Sequence, residues 1–281
     1  MKTVAIYGLG LIGGSFGLAL RKAGFPGEIL GLCAPPFVEK ALAMGAITRQ
    51  CDSLAVAAQE ADVIFLSHRI DAIIHALGIL GPIARAGCLI TDSGSTKTAI
   101  VNKATECVNL AEFIGGHPLA GREKRGVEAA DPDLFRGKPY VLTGFSSLSK
   151  EFENWLERIG ANVVHMTAEE HDRVVAYTSH LPQILSTALS LTLARQDNKA
   201  LSQVFGPGLT DMTRLALSSS ELWQDILRTN KDSVQTAIDS FIETLGEVRS
   251  AIENDGVEPT FTEAGEFARK LRHTIGQSSV P

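Results

Sequence analysis

Two histidines lie in segments whose composition suits proton transfer. His117 stands between glycines and a proline in residues 115–121 (GGHPLAG), and His180 lies in residues 179–183 (SHLPQ). A neutral imidazole can accept a proton near physiological pH, so either side chain could act as a general base. A histidine in a loop bounded by glycine and proline is seldom a packing residue, and we predict that His117 is catalytic. For His180, a place on a helix surface or in the core is the alternative.

A glycine-rich turn near the amino terminus predicts a dinucleotide site. Residues 4–7 (VAIY) form a short apolar run typical of a buried strand, and Gly8, Gly10 and Gly13 follow in G-x-G-x-x-G spacing before a helical pattern. These glycines allow a tight turn, a close approach of the backbone to a pyrophosphate, and close packing of helix on strand. The N–H groups that begin the helix point at the anion. The predicted contacts are Gly8, Leu9, Gly10, Leu11, Ile12 and Gly13. A glycine-lined turn without a ligand is the alternative.

The end of the second predicted strand bears on which dinucleotide binds. Dinucleotide-binding domains usually place an Asp or Glu there, which accepts hydrogen bonds from the adenosine ribose. Here residues 28–33 (EILGLC) end in Cys33, and Ala34, Pro35 and Pro36 follow. Without the acid a 2′-phosphate is not repelled, which slightly favours NADP, but no Arg or Lys adjoins Cys33 to bind that phosphate. We therefore expect either NAD or NADP as the cofactor.

Two further predicted strands end in polar residues, at the carboxyl edge where open α/β sheets bind ligands. One strand leads into Ser67, His68 and Arg69, and the other leads into residues 92–97 (DSGSTK). We expect Ser67, Arg69 and Ser93 near the cofactor, with Arg69 on a cofactor phosphate or on the substrate. A solvated loop is the alternative for Arg69.

Residues 92–97 hold more polar groups than the start of a helix requires. A Ser or Thr here caps the helix that is predicted to begin near Thr98, and one hydroxyl would suffice. The helix dipole disfavours a cation such as Lys97 at an amino terminus. Function is the better explanation for the excess, and Ser95 and Lys97 therefore join the candidate site.

The pattern of the chain changes near residue 167. Up to that point about eight predicted strands alternate with helices, which is typical of a doubly wound, mostly parallel α/β sheet of Rossmann type. Beyond it, apolar residues recur at helical spacing over residues 169–195, 199–217 and 221–254. We predict a dinucleotide-binding domain over residues 1–166 and an all-helical domain for substrate binding and dimerisation over residues 167–281.

Two irregular points interrupt the helical half. Pro182 removes a helical hydrogen bond and is expected to kink its helix, which turns His180 inward. Residues 206–214 (GPGLTDMTR) lie between helices and end in Arg214. Its guanidinium could bind a carboxylate through two parallel hydrogen bonds, with an ordinary salt bridge as the alternative.

Composition excludes several functional classes. The chain has 281 residues with 26 Lys and Arg against 32 Asp and Glu, and the absence of a basic cluster argues against a nucleic-acid partner. No apolar run approaches the ~20 residues of a membrane span, and the first strand begins too early for a signal peptide. Four widely spaced cysteines without a C-x-x-C pair predict free thiols, with neither disulfides nor a metal site. We expect a cytoplasmic protein.

These motifs, in this order, resemble the prephenate/arogenate (cyclohexadienyl) dehydrogenase family of tyrosine biosynthesis. The matching segments are GLGLIGGS at 8–15, TDSGSTK at 91–97, GGHPLAGREKRG at 115–126, LFRGKPYVLT at 134–143, SHLPQ at 179–183, TDMTR at 210–214 and WQDI at 223–226. The pair of GGHP and SHLP is specific, because ordinary dinucleotide folds have no reason to share both.

The resemblance implies an oxidative decarboxylation. In the family reaction, a cyclohexadiene with a ring carboxylate and a 4-hydroxyl transfers hydride to the nicotinamide, loses CO2 and becomes aromatic. By similarity His117 accepts the hydroxyl proton, Ser95 orients His117 or that hydroxyl, and His180 contacts the substrate from the helical domain.

The same resemblance implies further substrate contacts and a homodimer. Arg214 pairs with a substrate carboxylate, and Glu123, Lys97 and Gln183 also lie at substrate-binding positions. A carboxylate at Glu123 favours the ammonium group of arogenate over the keto acid of prephenate, whereas Arg122 stands where a small residue is expected. The homodimer is expected to form through the long helices.

Two alternatives stay open at this point. A β-hydroxyacid dehydrogenase or imine reductase shares the two-part architecture but depends on a Lys or Asp where this chain has His180. A non-catalytic dinucleotide-binding sensor would keep the glycine turn without the chemistry.

Overall fold

A computed structural model of the chain describes residues 1–122, 124, 126–196 and 198–277. Its amino-terminal part is built on one eight-stranded sheet. The strands are β1 (Thr3–Tyr7), β2 (Glu28–Leu32), β3 (Arg49–Gln50), β4 (Val63–Leu66), β5 (Leu89–Asp92), β6 (Glu112–Pro118), β7 (Pro139–Thr143) and β8 (Asn162–Met166).

The order of the strands defines a Rossmann-type sheet. They lie in the order β3-β2-β1-β4-β5-β6-β7-β8. The first six run parallel, β7 pairs antiparallel with β6, and β8 runs parallel to β7. The direction of winding reverses between β1 and β4, which creates a crevice at the carboxyl ends of these strands. The predicted doubly wound, mostly parallel sheet is confirmed.

Twelve α-helices lie in the described part of the chain. They are α1 (Leu11–Lys22), α2 (Pro35–Ala43), α3 (Leu54–Glu60), α4 (Ile70–Leu80), α5 (Thr98–Cys107), α6 (Ser149–Arg158), α7 (Ala168–Val175), α8 (Leu181–Ala194), α9 (Pro207–Thr213), α10 (Ser220–Thr229), α11 (Lys231–Glu253) and α12 (Val257–Gln277). A π-helical turn (Ala176–His180) joins α7 to α8, and 3-10 turns cover Val127–Ala129, Lys199–Ser202 and Arg214–Leu217.

The two faces of the sheet carry separate apolar cores. Side chains alternate along a strand, so Ile6 of β1 and Phe65 of β4 pack with α1, α2 and α6, whereas Ile64 of β4 and Ile90 of β5 pack with α3, α4 and α5. Both faces of the parallel strands are therefore covered, as their continuous apolar sequences require.

Pro182 shapes the first long helical segment. Because proline has no N–H to donate, the regular ladder cannot continue through it. The chain accommodates this with the π-helical turn directly before α8, and such turns often occur at functional sites. His180, the last residue of the turn, is 1% exposed, so the predicted inward orientation is what the structure shows.

The helical half departs from the sequence pattern in three places. The run predicted over residues 221–254 is interrupted at Asn230, which separates α10 from α11. Residues 199–217 form only the short helix α9 between two 3-10 turns, and α12 was not predicted. Helical spacing of apolar residues continues through such breaks, so the pattern alone does not reveal them.

Residues 1–231 and 232–281 form two compact units. The first unit contains the sheet and the helices through α10. The sheet ends with Met166 of β8, directly before the domain boundary that the sequence predicts, and that boundary stays a prediction. No described helix combines the length and the apolar composition that a membrane crossing requires.

Candidate active site

The turn between β1 and α1 has the geometry of a pyrophosphate site. Gly8 has φ +98°, and a Cβ there would lie 2.1 Å from the Ser67 carbonyl oxygen. A Cβ at Gly13 would lie 2.0 Å from the Gly8 oxygen, whereas one at Gly10 would meet no protein atom within 4 Å. No side chain caps α1 and no acidic residue lies in its first turn. The start of α1 therefore has no side-chain cap and has open space beside Gly10, which fits a bound dinucleotide.

The end of β2 lacks the groups that discriminate between dinucleotides. Cys33 is half-buried, and the first two positions of α2 are Pro35 and Pro36, which have no N–H to offer. The N–H of Phe37 is already donated to the Ala34 oxygen at 3.0 Å. The first turn of α2 therefore offers neither an acid to the ribose hydroxyls nor a free N–H to a 2′-phosphate.

The carboxyl ends of β4 and β5 lie side by side in the sheet. Ser93 Oγ donates to Ser67 Oγ at 3.2 Å, and the ring of His68 stacks on Tyr7 with 5.5 Å between centroids. Arg69 is exposed. A cavity of about 50 Å³ lies against these strand ends, and its lining includes His68, Arg69, Ser93, Ser95, Leu222 and Asp225.

The buried side chain of Lys97 links the end of β5 to β6. Its side chain is completely buried and forms an ion pair with Asp92, which is also buried, and its Nζ donates to the Gly116 oxygen at 2.7 Å. Asp92 in turn accepts from the N–H groups of Gly94 at 2.7 Å and Gly116 at 3.1 Å. Burial lowers the pKa of Lys97, and the Asp92 carboxylate opposes that shift.

The prediction that Lys97 binds the substrate is therefore corrected. An ammonium group that is sealed from solvent and already held by Asp92 and the Gly116 carbonyl is not available to a substrate carboxylate. Its position joins the exit of β5 to β6, directly before His117. Its hydrogen bonds hold the end of β5 against the segment that carries His117.

His117 belongs to a buried chain of three side chains. Its Nδ1 lies 2.8 Å from Nε2 of His171, and Nδ1 of His171 lies 2.8 Å from Oδ1 of Asp172. His117 projects from β6, whereas His171 and Asp172 come from α7. His171 is completely buried, and His117 and Asp172 are 9% and 3% exposed.

Asp172 also fixes the start of α5. Its carboxylate accepts from the backbone N–H of Lys97 at 2.7 Å and from that of Thr98 at 2.9 Å. Burial by itself raises the pKa of Asp172, but hydrogen bonds from His171, Thr98 and Lys97 outweigh burial and lower it. The carboxylate is therefore ionised at neutral pH and is held by donors from two elements.

Burial controls the charge of His117. Burial lowers its pKa well below the usual histidine value, and the neighbouring His171, Lys97 and His180 lower it further. Because His117 is uncharged at neutral pH, it has a lone pair with which to accept a proton.

His180 lies in a second polar network that meets the first at Asp172. Nδ2 of Asn230 lies 3.3 Å from Nδ1 of His180. Nδ2 of Asn230 also donates a hydrogen bond to the main-chain oxygen of Asp172 at 2.7 Å. Trp223 packs edge-on against His180, with 5.8 Å between ring centroids. Burial lowers the pKa of His180 to about 4, with a smaller contribution from His171 and an opposing one from Asp172. The two predicted histidines are thus joined through Asp172.

The other described residues that the sequence places near the substrate differ in how deeply they are buried. Gln183 is 7% exposed and donates through Nε2 to the Leu215 oxygen at 2.8 Å, while its Oε1 is buried and without a partner. Arg214 is exposed and begins the 3-10 turn after α9. Arg122 forms an ion pair with Asp131. Glu123 lies outside the described residues.

Sequence reasoning missed His171, Asp172 and Asn230. A signal for the first two was present: the buried residues of α7 are Ala168, His171, Asp172 and Val175. This i, i+3, i+4, i+7 spacing places a His-Asp pair on the face that should be apolar. Asn230 gave no comparable signal.

Fold and site together define an NAD(P)-dependent dehydrogenase. A Rossmann sheet offers the open glycine turn to a dinucleotide, and a buried neutral histidine stands at the end of β6 of the same sheet. Comparison with known proteins agrees with this class. Residues 16–165 match the family model "Prephenate dehydrogenase, nucleotide-binding domain", and residues 167–271 match "Prephenate dehydrogenase, dimerization domain".

Comparison of the chain with individual proteins points to the same family. The chain is 34% identical over 272 residues to the prephenate dehydrogenase of Bacillus subtilis, covering 92% of this chain and 72% of that protein. It is 31% identical over 260 residues to the cyclohexadienyl dehydrogenase of Zymomonas mobilis, covering 89% and 88%. The prephenate dehydrogenase of Aquifex aeolicus, solved with hydroxyphenyl propionate and NAD+, has a TM-score of 0.89 at 32% identity and covers 98% of both chains.

The chain belongs to the prephenate dehydrogenase family. It is accordingly an enzyme that couples oxidative decarboxylation to hydride transfer to NAD(P). This membership takes the place of the two alternatives that the sequence left open.

Proposed function

We propose that this enzyme oxidises and decarboxylates a cyclohexadienyl acid, arogenate or prephenate, with His117 as the base. The observation that carries the proposal is the buried chain from His117 through His171 to Asp172. It orients a neutral imidazole at the end of β6 and supplies an anion to balance the charge that the imidazole acquires.

The order of donors and acceptors in this chain supports Nε2 as the reacting nitrogen of His117. An ionised Asp172 can only accept, so His171 donates through Nδ1–H. Nε2 of His171 lies 2.8 Å from Nδ1 of His117, and in the proposed arrangement it accepts from the Nδ1–H of His117. This leaves the lone pair of His117 on Nε2, and that atom is the proton acceptor.

Proton and electron movements then balance. Nε2 of His117 takes the proton of the 4-hydroxyl, and the electron pair left on that oxygen forms a C=O bond as hydride leaves the ring carbon. When bound, NAD(P)+ accepts this hydride. The ring carboxylate leaves as CO2, its bonding electrons make the ring aromatic, and His117 returns its proton to the ring oxygen. No proton is released overall.

The residues around His117 favour both the uptake of the proton by His117 and its return to the ring oxygen. While His117 is protonated, Asp172 stabilises the positive charge through His171. The lowered pKa of His117 makes the return of the proton to the ring oxygen favourable. Aromatisation drives the decarboxylation, so the protein mainly has to position the ring and handle this proton.

Substrate contacts are proposed for five further residues. Ser95, which lines the cavity beside the ends of β4 and β5, is proposed to orient His117 or the substrate hydroxyl. Arg214, which is exposed, is proposed to bind a substrate carboxylate, and His180 and Gln183 contribute from the helical half. We keep Glu123 as the residue that would favour the ammonium group of arogenate.

For the cofactor we propose weak discrimination between NAD and NADP. The missing acid at Cys33 admits the 2′-phosphate, in line with the slight preference for NADP that the sequence predicts. The prolines that begin α2 remove the N–H groups that would strengthen that preference. Both dinucleotides are therefore expected to support turnover.

We also propose a homodimer formed by the helical segments. Helix α8 consists mostly of apolar residues, yet the residues buried in it are Gln183 and Ser186, and an apolar helix of this kind requires a covering surface. Helix α11 exposes Ile242, Leu245 and Ile252 along an open cavity. A second copy is the partner that the dimerization-domain match favours.

The deciding experiment crosses arogenate and prephenate with NAD and NADP and follows the absorbance of the reduced nicotinamide. His117→Asn is expected to reduce kcat by ~10²–10⁴-fold, the contribution of a general base. The matched control is His75→Asn, on the exposed side of α4, which leaves turnover unchanged. Absence of turnover in all four combinations, or full activity of His117→Asn, would overturn the proposal.

A further inference from the structure

Asn230 occupies the break between α10 and α11 with its side chain turned inward. Its backbone leaves the helical conformation, with φ −126° and ψ 32°, and the residue is 5% exposed. The side-chain amide reaches the main-chain oxygen of Asp172 and the ring of His180. Asn230 interrupts the helix, and its side chain makes two buried hydrogen-bond contacts. These contacts indicate that the residue does more than connect α10 to α11.

The main-chain contact determines which way the amide faces. A carbonyl oxygen can only accept a hydrogen bond, so the group 2.7 Å from the Asp172 oxygen is the NH2 of Asn230. The same NH2 lies 3.3 Å from Nδ1 of His180. An NH2 group can only donate, and Nδ1 of His180 must therefore be the acceptor.

An accepting Nδ1 leaves the ring proton on the other nitrogen. A neutral histidine carries one N–H, and when Nδ1 is the acceptor that proton resides on Nε2. The lowered pKa of His180, about 4 and caused mainly by burial, agrees with a neutral ring at neutral pH.

We infer that Asn230 is a positioning residue that fixes His180 as the Nε2–H tautomer, a hydrogen-bond donor to an oxygen of the substrate. This inference rests on the proposed function and deepens it. The two histidines then carry opposite tautomers: His117 offers a lone pair at Nε2, and His180 offers a proton. Only His117 can act as the base.

The donor state of His180 restricts the group that it binds. An N–H can bind a carboxylate or carbonyl oxygen of the cyclohexadienyl acid, but it repels an ammonium group. Both candidate substrates carry carboxylates, so either can use this contact. The ammonium group of arogenate must be bound elsewhere.

Replacing one atom inverts the arrangement. In Asn230→Asp the NH2 becomes an oxygen, and the ionised carboxylate that results can only accept a hydrogen bond. Nδ1 of His180 then becomes the donor, and Nε2 loses its proton. The lost hydrogen bond to a charged oxygen is expected to raise KM for the substrate by ~10–100-fold, with a smaller effect on kcat.

The tautomer itself can be measured without any activity. In 15N-labelled full-length protein, the histidine ring nitrogens distinguish protonated from lone-pair nitrogen, and the spectrum of His180→Gln assigns the His180 signals. We expect Nε2 to be protonated in the wild-type chain and Nδ1 to be protonated in Asn230→Asp. The wild-type spectrum decides the inference even if Asn230→Asp does not fold.

Kinetics test whether the effect passes through His180. In a His180→Gln background, Asn230→Asp is expected to cause little additional rise in KM, since the ring that it controls is gone. Asn109→Asp, at an exposed position between α5 and β6, is the matched control, and KM for NAD(P) should stay unchanged in all variants.

Two results would overturn the inference: protonated Nδ1 on His180 in the wild-type spectrum, or a KM effect of Asn230→Asp that is undiminished in the His180→Gln background. Failure of the proposed function has a different signature. In that case the wild-type enzyme reduces neither cofactor with either acid, while the 15N spectrum still reports the tautomer.

Discussion

Nδ1 of His117 lies 2.8 Å from Nε2 of His171, a residue 54 positions further along the chain. The ring of His117 projects from β6, and the ring of His171 projects from α7, the first helix after the last strand of the sheet. His117 is thus oriented by a side chain from beyond the sheet, and this orientation depends on how α7 packs against β6.

Removing His171 is expected to slow the reaction without abolishing cofactor binding. In His171→Leu the Nδ1–H of His117 loses its acceptor, so the ring is no longer held in the reactive tautomer. We expect kcat to fall by ~10²-fold, with KM for NAD(P) unchanged. Steady-state kinetics measure this, and His75→Leu on the surface of α4 is the control. A wild-type value of kcat in His171→Leu would show that the contact between His117 and His171 has no catalytic role.

The pH dependence of kcat should reflect the burial of His117. Its pKa is lowered first by burial and then by His171, Lys97 and His180. The neutral, active form therefore persists below the ordinary histidine pKa of ~6.5, and activity is lost only when the pH falls through the lower value. A profile of kcat against pH checks this. An acidic limb at or above ~6.5 contradicts the assignment of His117 as the base.

Breaking the buried ion pair should destabilise the fold. Asp92→Leu leaves the ammonium group of Lys97 sealed from solvent without its anion, and such a loss costs about 3–5 kcal/mol in the free energy of unfolding. The double variant Asp92→Leu/Lys97→Met should recover part of that loss. Urea unfolding measures both.

The exposed pair Lys103–Glu106 (3.1 Å) supplies the control for this measurement. Glu106→Gln should change the free energy of unfolding by less than about 1 kcal/mol. An equally small change in Asp92→Leu would mean that the buried pair does not hold the loop.

The end of β2 should control the choice of cofactor. Cys33→Asp places a carboxylate at the ribose position, where it accepts from the 2′-hydroxyl of NAD and repels the 2′-phosphate of NADP. The ratio of kcat/KM for NAD to that for NADP is expected to rise by ~10-fold or more. Cys33→Asn, which keeps the size but lacks the charge, is the control. An unchanged ratio in Cys33→Asp would place the adenosine ribose elsewhere.

The exposed apolar face of α11 should be required for assembly. Ile242→Asp together with Leu245→Asp introduces two charges among side chains that are 60% and 55% exposed in the single chain. If a second copy covers this face, sedimentation at micromolar concentration should shift from a dimer mass to a monomer mass. Ser240→Asp on the same helix is the charge control. A dimer that survives the double substitution would place the interface on another surface.

Much of the nucleotide half could be predicted from local sequence. The apolar runs and their spacing gave all eight strands within a few residues, because a parallel sheet buried on both faces needs continuous apolar segments. The spacing of Gly8, Gly10 and Gly13 gave the turn between β1 and α1, because the close approach of backbone atoms leaves no room for a side chain at two of the three positions.

The helical half was less predictable for a physical reason. Amphipathic spacing shows that a segment is helical but not where it breaks, and the interruption at Asn230 depends on hydrogen bonds to Asp172 and His180. Lys97 illustrates the same limit. Its position predicted a substrate contact, but tertiary packing buried it against Asp92.

The sequence alone determined the class of chemistry, since a glycine turn and two histidines in proline-containing motifs are local features. Tertiary structure decided how these residues work. The tautomers proposed for His117 and His180 follow from their contacts with His171, Asp172 and Asn230. These residues come from different elements, and their hydrogen bonds exist only once the helical segments pack against the end of the sheet.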